Sequence, residues 1–273
     1  MIRKTGRYLG VDKAGFIVPD VSQDLIPEKW QELINAIIAF TEEYEAHNVV
    51  ALYVRGSVPR GLAIEGVSDL DLLFIVRNAD TALSEHVLSF KKALLERYPF
   101  CNGIEWSIDP LPDMNAIPLR SEDRHLARLI KTQALHLWGQ DLASSFPKVK
   151  PGVDMVSHAF GLAYEWQAFP ARMRAASQTR CDQLCLWMGK RLLRTAFELV
   201  ALDKPLFTRD LYLCYETAAT EYPEIASELY EVLALSLQQN VSADAVITCF
   251  SPVADFLSIK INGLMERNIL SAP

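Results

Sequence analysis

Residues 49–76 read VVALYVRGSVPRGLAIEGVSDLDLLFIV and contain two apolar segments of strand length separated by a loop. The first segment, residues 49–54, is apolar at every position, which predicts a central strand buried on both faces. The second, residues 69–77, opens with two acidic residues and then becomes apolar. The stretch therefore predicts two core strands of a sheet, with polar groups gathered where the loop meets the second strand.

Two aspartates stand at the start of the second strand. On a strand, residues two apart point to the same face, so Asp69 and Asp71 share a face that turns apolar at Leu73. Their Cα atoms would lie roughly 6.6 Å apart. Two carboxylates at this separation repel each other and resist desolvation unless a divalent cation lies between them. Oxygen ligands of this kind, with phosphates completing the shell, suit Mg²⁺.

A Gly-Ser pair ends the first strand. Gly56 permits a tight turn and a close approach of backbone to a ligand. Ser57 is placed to cap a short helix that starts at Val58-Pro59. Free N–H groups there, with the serine hydroxyl, would form an anion site. A phosphate-binding turn and a magnesium-binding carboxylate pair are the parts needed to hold a nucleoside triphosphate.

The rest of the first half predicts helices and strands in alternation. Local patterns and turn residues indicate a hairpin over residues 7–19, helices over 27–47, 81–97 and 122–137, and a third strand over 103–109. A boundary falls in the Pro- and Gly-containing segment 144–152, which separates a domain of residues 1–145 from one of residues 150–273.

The second half has helical periodicity throughout. It predicts helices near residues 154–175, 180–202, 208–220, 223–238 and 243–267. The expected fold class is therefore α+β, with a small mixed sheet flanked by helices in the first domain and a helical bundle in the second.

Composition narrows the possible partners. A formal net charge of −7 argues against binding to nucleic acid. No apolar run is long enough to span a bilayer, and the first ten residues lack the apolar core of a secretory signal. Five cysteines without Cys-x-x-Cys spacing indicate reduced core residues. We therefore expect a cytoplasmic protein, whose oligomeric state the sequence does not predict.

The Gly56-Ser57 turn, a spacer of about a dozen residues and the Asp69-Leu70-Asp71 string together resemble the signature of the polymerase-β-type nucleotidyltransferase superfamily. The sequence of this stretch is especially similar to that of bacterial adenylyltransferases that modify aminoglycosides such as streptomycin, and to that of their uncharacterised relatives. The string LHLWGQDL, residues 135–142, also resembles the end of the nucleotidyltransferase domain in these relatives. The resemblance covers roughly residues 45–142, and the second half matches such enzymes only in architecture.

The resemblance implies a third acid on a later strand. Glu105 fits that pattern because it lies between Ile104 and Trp106. Asp109 shares the same strand face and is the alternative.

The resemblance also implies roles for these residues. Asp69 and Asp71 would hold Mg²⁺, while Gly56 and Ser57 would bind the terminal phosphates of ATP. Glu105 would take the proton of an acceptor hydroxyl.

Basic residues are candidates for further phosphate contacts. Arg55 and Arg60 bracket the Gly-Ser turn, and either could instead be an ordinary salt-bridged loop residue. In enzymes of this resemblance a basic residue of the helical domain reaches the triphosphate, and Lys190 is our candidate. The alternative for this region of the helix is an ordinary ion pair, such as Arg194 with Glu198.

The function expected from this resemblance is magnesium-dependent transfer of AMP from ATP to a hydroxyl of a small, aminoglycoside-like molecule, with release of pyrophosphate. Two alternatives stay open at this point. One is nucleotidyl transfer to a protein acceptor, as in antitoxin-like relatives. The other is a non-catalytic nucleotide-binding regulatory module, which would need Ser57 and the aspartates but not Glu105.

Overall fold

The computed structural model describes residues 2, 4, 6–78, 86–113, 121–267 and 269. The chain divides into two compact units, one of Val18–Val149 and one of Met1–Ile17 with Lys150–Pro273. No α-helix among the described residues has both the length and the apolar character that crossing a bilayer requires.

The strands and helices follow one another in mixed order in the first half and are all helical in the second. In chain order they are β1 (Gly10–Val11), β2 (Ile17–Val18), α1 (Glu28–Phe40), β3 (Val49–Arg55), β4 (Leu70–Val76), α2 (His86–Arg97), β5 (Ile104–Pro110), α3 (Ser121–Gln133), β6 (Leu135–Gly139), α4 (Leu162–Arg174), α5 (Gln178–Val200), α6 (Leu211–Glu221), α7 (Ala226–Ser236) and α8 (Ala243–Glu266). The predicted start of α2 near Thr81 lies outside the described residues.

A four-stranded mixed sheet forms the centre of the first unit. Its strand order is β5-β4-β3-β6. Strand β3 runs antiparallel to both β4 and β6, whereas β4 and β5 are parallel and are joined through α2. This mixed sheet with flanking helices agrees with the α+β class predicted for the first domain. The parallel pair matters for the site, because β4 and β5 both begin at the edge where β3 ends.

Each face of the sheet has its own apolar core. One face packs against α1 and α2, with Leu72 and Phe74 of β4 in its cluster. The other face packs against α3, with Leu73 and Ile75 of β4 in its cluster. Every residue of β4 is buried except Asp71, which is half-buried. Because side chains alternate along a strand, Asp71 belongs to the face that α3 covers further along.

The predicted helix over residues 122–137 is wrong at its C-terminal end. Helix α3 ends at Gln133, and the next residues form the edge strand β6, which pairs with β3. Gly139 ends this strand with φ +81°, and a Cβ there would lie 2.2 Å from the carbonyl oxygen of Val50. Backbone pairing to an unsatisfied strand edge therefore outweighs the local helical pattern.

Five α-helices occur among the described residues of the second unit, and α5 contacts the other four. The prediction of a helix from residue 154 is wrong for its first turns, since α4 begins only at Leu162. The preceding segment uses its backbone N–H groups differently. Those of Ser157, His158 and Ala159 donate to the carboxylate of Glu198 at 3.0, 2.8 and 3.3 Å.

Candidate active site

One row of side chains crosses three neighbouring strands at the edge of the sheet. Asp71 of β4 is in register with Arg55 of β3 and with Glu105 of β5. Arg55 is the last residue of its strand, and the two acids are each the second residue of theirs. Residues in register on adjacent strands point to the same face, so the three side chains converge.

Asp69 lies just before β4 and is held by the backbone on either side of it. The N–H of Leu70 donates to the carbonyl of Gly103 at 2.8 Å, and the N–H of Asn102 donates to the carbonyl of Ser68 at 2.9 Å. These bonds extend the parallel pairing of β4 and β5 beyond the strands. They hold the backbone around Asp69 against the segment that precedes β5, so Asp69 stays next to the start of both strands.

The carboxylates of Asp69, Asp71 and Glu105 form a cluster in which one oxygen from each lies within 4.8 Å of the others. Among the described residues, no other group of three acidic, histidine or cysteine side chains has this arrangement. Asp71 is only 15% exposed, whereas Glu105 is 56% exposed and Asp69 is also exposed. An acidic cluster with one half-buried and two exposed members offers hard oxygen donors and an approach from solvent, which fits a magnesium ion.

The surroundings of Asp71 raise the pKa of its carboxyl. The pKa of this carboxyl is raised to about 6, mainly by burial, with the Asp69 and Glu105 charges adding to the rise and the Arg55 guanidinium opposing it. The charged form of Asp71 is therefore less favourable in this site than it would be in water. A cation bound at this position would favour that form.

Gly56 is required by the same arrangement. Its φ is +82°, a conformation that favours glycine, and a Cβ at this position would lie 2.2 Å from Asp71 Oδ2. Glycine is therefore required here for two reasons: the positive φ of the turn, and the lack of room for a Cβ beside half-buried Asp71. The set of three carboxylates fits a bound divalent cation, and Gly56 leaves the room that Asp71 Oδ2 occupies in that set.

Residues 56–61 form consecutive turns rather than the short helix expected after Ser57. The N–H of Leu62 donates to the carbonyl of Ser57 at 2.9 Å, and that of Gly61 donates to the carbonyl of Val58 at 3.1 Å. Val58 is buried, which anchors the turn. Ser57 itself is half-buried and follows Gly56 directly. Its predicted contact with the phosphates stays a prediction.

Both arginines that bracket the turn form ion pairs. Arg60 Nε donates to Asp20 at 2.8 Å. Arg55 Nη2 lies 3.2 Å from Glu105 Oε1 and 3.5 Å from Asp71 Oδ1. The sequence left a salt bridge open for both arginines, but it did not predict that the partners of Arg55 are acids of the cluster. The signal was present, because a residue that ends the strand before Gly56 must be near the start of the antiparallel neighbour.

The remaining candidates occupy distinct places. Glu105 belongs to the cluster, while Asp109, in register with Ile75, lies four residues further along β5. Lys190 lies on α5 in the other compact unit and is half-buried. Its predicted contact with the triphosphate stays a prediction.

No protein-family model matches the chain, and no curated protein matches it. Solved structures do match, among them spectinomycin adenyltransferase AAD(9) from Enterococcus faecialis, solved with ATP and spectinomycin. The two chains are 13% identical and superpose with a TM-score of 0.47, over 85% of this chain and 99% of that chain.

Proposed function

We propose that the protein transfers a nucleotidyl group, AMP from ATP, to a hydroxyl group of a small aminoglycoside-like molecule. The observation that carries this proposal is the convergence of Asp69, Asp71 and Glu105 within 4.8 Å, beside the turn at Gly56. Three acids held by two parallel strands, next to a turn shaped by glycine, are what positioning a triphosphate requires.

Asp69 and Asp71 would hold Mg²⁺, with Glu105 completing the carboxylate set. When bound, magnesium supplies charge neutralisation and Lewis-acid polarisation of the phosphate oxygens. The turn at Gly56 and Ser57 would bind the terminal phosphates through backbone N–H groups and the serine hydroxyl.

The reaction then needs a base for the acceptor. Glu105 is more than half exposed and so is accessible to a hydroxyl from solvent. In the transfer step the hydroxyl oxygen forms a bond to the α-phosphorus, the bond from that phosphorus to the pyrophosphate oxygen breaks, and the proton passes to the Glu105 carboxylate. Pyrophosphate leaves with the electron pair of the broken bond. Arg60 and Lys190 would add positive charge for the phosphates, the former after leaving Asp20.

The position of Glu105 favours catalysis over a purely regulatory nucleotide-binding module. A binding module needs the phosphate turn and the aspartates alone, whereas here a third acid is in register with Asp71. That register follows from the parallel pairing of β4 and β5, and it puts a third carboxylate beside Asp71, where the proposed reaction needs a proton acceptor.

The test is transfer of label from [α-³²P]ATP to a panel of aminoglycosides in the presence of magnesium. Wild-type protein is expected to give a labelled product and pyrophosphate in equal amounts. Asp69→Asn is expected to remove both the product and magnesium-dependent binding of ATP. Glu105→Gln is expected to lower turnover at least about a hundredfold while ATP still binds, because loss of a general base has about that effect.

Two variants control for unrelated effects of these changes. Glu65→Gln removes an exposed acid of the same loop, whose ion pair is with Lys29, and should leave transfer unchanged. Asp109→Asn separates the two candidates for the third acid, and we expect it to retain transfer. The absence of both labelled product and ATP binding with the wild-type protein would refute the proposed function.

A further inference from the structure

Arg55 makes the contacts that hold the acidic cluster together. Its Nη2 atom lies within 3.5 Å of one oxygen of Asp71 and one of Glu105, so a single nitrogen bridges the central acid and the third acid. The guanidinium is 23% exposed and lies on the strand next to β4, at the same sheet edge as the carboxylates. It therefore supplies positive charge where three negative charges meet.

These contacts use the same carboxylates that the proposed metal site needs. A guanidinium nitrogen 3.5 Å from Asp71 Oδ1 and 3.2 Å from Glu105 Oε1 would repel a divalent cation bound to the same carboxylates, so the two positive groups compete for them. The Arg55 Nε atom is buried and has no hydrogen-bond partner among the described residues. The head group is thus held by the carboxylates, and no bond from Nε resists its displacement.

We propose that Arg55 is a positioning residue that takes the place of the metal in the metal-free protein and withdraws from the carboxylates when a divalent cation binds. The inference rests on the proposed function, since it assigns Arg55 to the same site. In the metal-free state the arginine keeps Asp71 and Glu105 aligned and limits their repulsion. In exchange, every binding event must displace it, which lowers the apparent affinity for the metal.

Isothermal titration with Mn²⁺, in the absence of nucleotide, tests this competition in the full chain. Arg55→Gln is expected to bind Mn²⁺ about tenfold more tightly than wild type, equivalent to about 1.4 kcal/mol. In EDTA the same variant is expected to melt a few degrees lower, because the carboxylates lose their counter-charge. Arg55→Lys, which keeps the charge without the planar head group, is expected to lie between the two in both measurements.

Arg77→Gln is the matched control. It removes one positive charge just after the far end of β4, where Arg77 donates to backbone carbonyls of His47 and Val49. Its affinity for Mn²⁺ should stay within about twofold of wild type, since exposed charges at that distance are largely screened. An equal gain in affinity for Arg77→Gln would mean that net charge alone is responsible, and would overturn the inference.

The outcomes separate this inference from the proposed function. If wild type binds Mn²⁺ through Asp69 and Arg55→Gln binds it no more tightly, the competition is refuted while the site stands. A lower melting temperature without tighter Mn²⁺ binding is what an ordinary structural ion pair would give, and it also refutes the inference. If neither protein binds Mn²⁺, the proposed site and the inference fall together. Weaker ATP binding with unchanged Mn²⁺ affinity would instead make Arg55 a phosphate ligand.

Discussion

At the scale of single residues, Gly56 connects backbone conformation to the chemistry of the site. Gly56→Ala would place a Cβ 2.2 Å from Asp71 Oδ2 at a φ of +82°, so the carboxylate must move. We expect a loss of about 1–3 kcal/mol in the free energy of unfolding and at least about a tenfold loss in Mn²⁺ affinity. Urea denaturation and titration calorimetry measure the two effects.

Gly66 offers a control with the same backbone strain and no contact. Its φ is +72°, and nothing lies within 4 Å of a Cβ built there. Gly66→Ala should therefore lower stability by about 1 kcal/mol and leave Mn²⁺ affinity unchanged. If both variants lose metal binding equally, displacement of Asp71 is not the cause.

Asp71 links the site to stability through its raised pKa. Burial raises this pKa to about 6, so between about pH 4 and pH 6 the folded chain binds the proton more tightly than the unfolded chain does. Stability without metal therefore falls as pH rises through that window. Asp71→Asn removes this cost and is expected to raise the free energy of unfolding at pH 7.5 in EDTA, by on the order of 1–3 kcal/mol.

The pH dependence distinguishes this effect from a simple packing change. Urea denaturation at pH 7.5, 6 and 5 should show the advantage of Asp71→Asn shrinking as the pH falls. The same variant should lose Mn²⁺ binding, so added metal should stabilise wild type alone. An advantage that is independent of pH would contradict the assignment of the raised pKa to Asp71.

At the scale of elements, the sequence predicts those segments whose burial decides their structure. The central strands β3 and β4 are apolar on both faces and form where expected. The positions of two acids then result from these strands. Side-chain alternation along β4 puts Asp71 on the face of the site, and the parallel register with β5 puts Glu105 beside it. Strand β6 could not be predicted in this way, since its pairing partner is about eighty residues away and its own sequence is also compatible with a helix.

The segment before α4 likewise depends on a partner that is distant in the sequence, Glu198. Glu198 is buried and accepts hydrogen bonds from three successive backbone N–H groups and from His158 Nδ1 at 2.6 Å. Burial alone raises its pKa, but the hydrogen bonds from His158 and the backbone outweigh burial and lower the pKa overall. The carboxylate is thus charged at neutral pH and serves as the partner of residues 157–159.

Glu198→Leu removes this partner while filling its volume. The backbone N–H groups of half-buried Ser157 and His158 and of buried Ala159 would then lose this acceptor, so we expect a loss of about 3 kcal/mol or more in the free energy of unfolding at pH 7. Glu231→Leu, at an exposed position of α7, should change it by less than about 0.5 kcal/mol. Urea denaturation at pH 7 measures the free energy of unfolding of both variants. Equal effects of the two changes would show that Glu198 does not anchor the segment.

At the scale of the whole molecule, the candidate site residues are divided unequally between the compact units. The three acids, Gly56, Ser57 and both bracketing arginines lie in Val18–Val149, together with the two apolar cores of the sheet. Lys190 lies in the other unit. The proposed reaction therefore separates into metal binding, for which one unit holds every proposed ligand, and transfer, for which we propose that both are needed.

A fragment of residues 18–149 tests this division. Because it retains both cores and all three carboxylates, it is expected to fold and to bind Mn²⁺ within about threefold of the full chain, an energy difference of about 0.7 kcal/mol. It lacks Lys190 and the other residues of the second unit, so it should give no labelled product from ATP and an aminoglycoside. Circular dichroism establishes folding before titration. A folded fragment that transfers AMP would show that the helical unit is dispensable, and a folded fragment that binds no Mn²⁺ would show that metal binding also depends on the second unit.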